Sequence, residues 1–156
     1  MNNIIWYNDK NIGIIFDKAP CVTMRYATPS MTDFEKKSVN KYPFINRSDL
    51  HVTLCDYKKD KKYCFNICKD YTWDGATIPR AFWRLIGSKT DSKFLIPSLI
   101  HDMLCENHGY VDNDRYFADK VFERLLYVSD VPAFNRWLMF HSVDNFQKFC
   151  NWQKGG

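Results

Sequence analysis

Apolar residues alternate along the first half of the chain and recur at helical spacing along the second, the change falling near residue 74. Residues 4–7 and 12–16 flank an Asn-Asp-Lys-Asn turn and predict a first β-hairpin. Residues 21–26 predict a further strand. The polar stretch 28–49 predicts a loop with one short helical turn. The strongest hairpin signal covers residues 50–73, where Leu50, Val52 and Leu54 alternate with His51, Thr53 and Cys55. A two-residue turn at Lys59-Asp60 would set Leu54 opposite Phe65 and Val52 opposite Ile67, apolar against apolar. Cys55 would then face Cys64, and His51 would face Cys68.

Helical periodicity takes over from Ile78. Pro79 suits a first helical position and Gly87 an end. A second helix is predicted from Asp91 or Ser92 to Asn107, stopped by Gly109, with Pro97 delaying its start or kinking it. A third runs from Asp114 to Val128, capped by Asp112 or Asn113. Its apolar face combines Phe117, Val121 and Leu125 with Tyr116, Phe122 and Leu126. Pro132 opens a fourth, which carries Phe134, Trp137, Leu138, His141 and Phe149. The expectation is one α+β domain over residues 1–156: antiparallel hairpins over 1–73 packed on a mainly helical part over 74–152. A central antiparallel helix pair forms the heart of the helical part.

The stretch IHDMLCENHGY sets His101 and Asp102 inside an apolar run. Folding the second and third helices about Tyr110 brings residue 101 level with residue 119, each nine positions from the pivot. Asp119 lies among Tyr116, Phe122 and Leu126, and a carboxylate in such a place normally has a partner. Held by Asp119, His101 would keep one imidazole nitrogen as a base. Asp102 turns about 100° away around the helix, open to a cation or an incoming loop. The same His–Asp bond can also simply tie a core together.

Metal readings are less favoured. Cys64 and Cys68 on one strand lie roughly 13 Å apart at ~3.3 Å per residue, too far for one tetrahedral ion. His101, Cys105 and His108 share a helix face but no fourth ligand is evident. A metal phosphohydrolase of the HD type would need His51, His101, Asp102 and Asp144 on helices, whereas His51 falls on a strand. Upstream, Asp74-Gly75 turns the strand into the helices, and glycine lets a backbone approach a ligand closely or turn carbonyls toward a cation.

Composition narrows the class. The chain has 156 residues, 46% of them hydrophobic and 17% aromatic, which suits a packed core rather than disorder. With 22 basic and 18 acidic residues, a net charge of +4 gives no reason to expect nucleic acid. No basic n-region precedes an apolar stretch at the amino terminus, and no run nears the ~20 residues of a membrane span. The six cysteines are therefore expected as reduced thiols in a soluble protein of a cytoplasm or a virion.

Two stretches taken together, WDGATIPRAFWRLIG and LIHDMLCENHGYVDNDRYFADKVFERLL, resemble a family of unknown function found in tailed phages and prophages. Asp74, Gly75, Ala76, Thr77, Ile78, Pro79, His101, Asp102, Ala118, Asp119 and Phe122 carry the resemblance, over about residues 65–130. It implies a phage-encoded protein, either a hydrolase or a virion component or binder of a host factor. More distantly, the His-Asp helix and the later Asp are similar to bacterial phospholipases of the A-two type. That similarity implies His101 as base, Asp119 as its orienter, Asp102 with Asp74-Gly75 toward calcium, and a lipid or other ester as substrate. Cys105 departs from that pattern, which usually has Tyr four positions after the His.

Overall fold

The computed structural model describes residues 2–75 and 92–149, with side chains to residue 142. The β part begins with β1 (Ile4–Asn8) and β2 (Ile12–Phe16), paired antiparallel as their alternation predicts. Asp9 closes their turn by accepting from the backbone N–H groups of Asn11 and Ile12 at 2.6 and 2.7 Å. β3 (Val22–Met24) pairs with β4 (Phe44–Asn46), which in turn pairs with β7 (Thr72–Trp73) in a three-stranded sheet. β5 (Leu50–Asp56) and β6 (Lys61–Ile67) complete a four-stranded sheet of order β1-β2-β5-β6.

The β5–β6 hairpin departs from the expected register by two residues. Leu54 pairs with Tyr63, Val52 with Phe65 and Leu50 with Ile67, while Thr53 meets Cys64 and Cys55 meets Lys62. The turn spans four residues, with Asp60 in the left-handed region at φ 51 and the Asp56 carboxylate accepting from Lys59 N–H at 3.3 Å. A shift of two preserves the face of every side chain, so the buried set is unchanged. Its cause lies in the turn, where Asp56 and Asp60 favour a longer connection than two residues.

The polar stretch 28–49 holds more than one helical turn. α1 (Asp33–Lys41) fills its middle, started by a capping box in which the Thr32 hydroxyl accepts from Glu35 N–H and Glu35 accepts from Thr32 N–H. The first predicted helix of the second half falls outside the described residues. After a 3-10 turn at Ser92–Phe94 comes α2 (Leu95–Glu106), with Pro97 in its first turn, where its missing N–H costs nothing. α2 ends at Glu106 with Asn107 as its cap, close to the expected end, and a 3-10 turn at His108–Val111 follows. The chain then reverses through Asp112 and Asn113, at φ 53 and 61.

Those two residues turn the chain, so neither caps the next helix. The cap of α3 (Arg115–Val128) is Asp114, whose carboxylate accepts from Phe117 N–H at 3.0 Å. Tyr116, expected on its apolar face, is 61% exposed. α4 (Ala133–Phe149) follows Pro132 and presents Phe134 and Trp137 outward.

The fold is α+β. The inner faces of β2, β5 and β6 (Ile14, Phe16, Val52, Leu54, Phe65, Ile67) form one core with Leu99, Ile100 and Leu104 of α2 and Phe117, Val121 and Leu125 of α3. Tyr63 against Phe117 and Phe65 stacked on Tyr110, with ring centroids 5.5 and 5.0 Å apart, join sheet to helices. Phe122 and Leu126 form a second cluster with Phe94, Val131 and Met139. Among the described residues, no helix is long and apolar enough to cross a membrane.

Candidate functional site

His101 rises from the middle of α2 and Asp119 from the second turn of α3. His101 Nε2 stands 3.0 Å from Asp119 Oδ1, the meeting that the count about Tyr110 predicts. Both are buried: His101 is 7% exposed and Asp119 is sealed. A carboxylate only accepts, so Nε2 carries the proton and Nδ1 is turned away from Asp119. The Phe122 ring lies 4.7 Å from the imidazole, one side of a tight enclosure.

The second carboxylate oxygen of Asp119 is buried with no hydrogen-bond partner among the described residues. Arg115 Nη1, one turn earlier on α3, approaches it at 3.8 Å. The His101 hydrogen bond and the Arg115 guanidinium therefore share one buried acid and together offset its loss of water. On the other side of the ring, Cys105 Sγ lies 3.6 Å from Nδ1 and 3.9 Å from Nε2. A sulfur so nearly equidistant from both nitrogens sits over the ring and not on the line of either one.

Asp102 is half-buried and engaged. It shares surroundings with Asp74 and Glu106 near Tyr71. Burial first, then the Glu106, Asp102 and Asp74 carboxylates, hold the Tyr71 phenol well above its usual value. Gly75 is buried at φ 91, a conformation that glycine adopts without strain. Residues 76–79 of the same motif lie outside the described residues.

Trp73, just before Asp74, donates its indole N–H to Ser98 Oγ at 2.9 Å, and Ser98 donates to Leu95 C=O at 3.1 Å. This buried bond ties the end of β7 to the helix that carries His101. Ser98 escaped the sequence reading, although a serine in so apolar a run signals a buried partner.

The other candidate metal ligands stand apart. His51 is exposed on β5, its Nδ1 2.7 Å from Asn66 Oδ1, and the Asp144 side chain lies outside the described residues. Among the described residues, no three of His, Cys, Asp and Glu gather closely enough to hold a metal ion. Asp102 and Asp74 therefore do not form a calcium site with described ligands alone. The described cysteines Cys21, Cys55, Cys64, Cys68 and Cys105 are free thiols. A cavity of about 560 Å³ lies elsewhere, between Trp6 and Tyr7 of β1 and the α3–α4 corner at Tyr127, Val131 and Arg136.

The family model described as "Protein of unknown function (DUF1353)" matches residues 52–143, more than half of the chain. The chain belongs to this family. The matched span runs from β5 into α4 and includes β6, α2, α3 and the His101–Asp119 pair, but not β1 or β2. An "Uncharacterized protein y4jT" of Sinorhizobium fredii (strain NBRC 101917 / NGR234) is 30% identical over 73 residues. That match covers 47% of this chain but only 21% of the relative, so the chain spans a small part of that protein's length. No solved structure matches the chain.

Proposed function

We propose that this chain is a hydrolase of esters, phospholipid among the candidates, in which His101 is the general base and Asp119 its orienter. The observation that carries the reading is the 3.0 Å contact between His101 Nε2 and the sealed Asp119 carboxylate. Asp119 fixes the tautomer and ring angle, and Nδ1 takes the proton of the attacking nucleophile. Asp102 and Asp74 offer negative charge at the nearby Tyr71 surface. Phage origin, implied by the motif resemblance, belongs to the same proposal, with the host cytoplasm as the place of action. The test is fatty-acid release from phosphatidylcholine vesicles, alongside hydrolysis of 4-nitrophenyl butyrate, by the purified chain. Turnover that His101→Ala removes from a folded protein supports the reading; no turnover of either substrate overturns it.

Burial favours a second reading. An imidazole only 7% exposed and packed on Phe122 suits a bond that specifies helix pairing. The chain would then be a non-catalytic virion component or binder of a host factor. Phe134 and Trp137, 59% and 56% exposed on α4, would give it a contact surface.

A further inference from the structure

We propose that Cys105 is the nucleophile served by the His101–Asp119 pair, so that the chain hydrolyses an ester through a thioester on its own sulfur. The inference rests on the hydrolase reading above and names the group that reading leaves open. Cys105 follows His101 by four positions on α2, so helix geometry stacks it one turn away on the same face. Its sulfur is 3.6 Å from His101 Nδ1 and 3.9 Å from Nε2, and Asp119 holds Nε2 at 3.0 Å. Nucleophile, base and orienter thus stand in sequence on two adjoining helices.

Accessibility separates the three. Asp119 is sealed and His101 nearly so, whereas Cys105 is only half-buried. An incoming acyl group therefore meets sulfur before it meets the imidazole. A water molecule acting as nucleophile would have to fit beside a ring already flanked by Phe122 at 4.7 Å. The sulfur now lies over the ring, and proton transfer requires it to turn about its Cα–Cβ bond toward the ring plane. Nucleophile–base pairs of this kind are often looser without substrate.

The chemistry balances. Nδ1 takes the Sγ–H proton as sulfur bonds to the carbonyl carbon, the carbon–oxygen bond to the alcohol breaks, and the leaving oxygen collects the proton from Nδ1. Water then gives a proton to Nδ1 while its oxygen bonds to the same carbon. The carbon–sulfur bond breaks and the sulfur recovers its proton, for a net change of ester and water to acid and alcohol.

The full chain is treated with limiting iodoacetamide at neutral pH and its cysteine peptides are followed by mass. The exposed Cys21, Cys64 and Cys68 act as internal references. Cys105 is expected to react at least about tenfold faster than these despite being less exposed, and His101→Gln should remove that advantage. A rate at or below the references, or one unchanged in a folded His101→Gln variant, overturns the proposal. With 4-nitrophenyl butyrate, the intact protein should carry a butyryl adduct on the Cys105 peptide, and Cys105→Ser should lose turnover. If Cys105→Ser turns over like the parent, Cys105 is not the nucleophile and the His101–Asp119 hydrolase reading survives. If the parent itself has no turnover on any ester, the hydrolase reading fails and this inference fails with it.

Discussion

His101 and Asp119 are 18 positions apart in the chain and 3.0 Å apart in the fold, bonded across the α2–α3 interface in a place nearly closed to solvent. Removing either partner leaves the other buried. His101→Ala should therefore lower stability by about 1–3 kcal/mol, because the Asp119 carboxylate loses its donor and, among the described residues, keeps the more distant Arg115. Urea unfolding of the two proteins measures this. A loss below the error of the method would mean that water reaches Asp119 readily.

Ser98 accepts the buried indole N–H of Trp73 at 2.9 Å. Ser98→Ala should cost about 1–3 kcal/mol, while Ser98→Thr should cost less because a hydroxyl remains. A thermal-unfolding comparison decides it. Equal stability of Ser98→Ala and the parent would show that the indole finds another acceptor.

Asp114 does two jobs, capping α3 through Phe117 N–H and pairing with Lys59 of the β5–β6 turn. The cap should dominate. Asp114→Ala is expected to cost about 1 kcal/mol, whereas Lys59→Ala, at an exposed and solvent-screened pair, should cost less. Denaturant midpoints that reverse this order would contradict the assignment.

Asp9 carries a pH dependence. Burial opposes its charge, but bonds from the Tyr7 hydroxyl, the Ile12 and Asn11 backbone N–H groups and Arg124 outweigh that, so its carboxyl titrates well below the usual range. A lowered folded pKa gives stability that is present above the unfolded value near ~4 and lost as pH falls through the folded value. Asp9→Asn should therefore flatten the decline of stability below about pH 4. Stability followed from pH 6 to pH 2 by circular dichroism in urea checks it, and parallel curves for the two proteins would refute it.

The sequence exposed what obeys a period and hid what depends on local chemistry. Alternation at Leu50, Val52 and Leu54 placed β5 and its buried face, and the count about Tyr110 placed Asp119 beside His101. Both rest on backbone geometry that any residue of the right polarity follows. The β5–β6 register was hidden because a shift of two leaves that alternation intact, and only the Asp56 and Asp60 turn chemistry tells the alternatives apart. α1 lies in a polar stretch whose apolar stripe is weak, yet Thr32 and Glu35 write its capping box plainly. The start of α3 was misread by two residues or fewer, since Asp112, Asn113 and Asp114 are alike in type and only backbone conformation separates turn from cap. The surroundings of Asp102 were hidden because they come from β7 and its flanks, through Tyr71 and Asp74, far away in the chain.

The most direct test of the account is the rate of 4-nitrophenyl butyrate hydrolysis by the parent and by Asp119→Asn, each shown to be folded by circular dichroism. Loss of the orienting carboxylate should lower kcat by about a hundredfold or more while leaving the fold in place. Equal rates in the two proteins would contradict it and leave the His101–Asp119 bond a fastening between two helices.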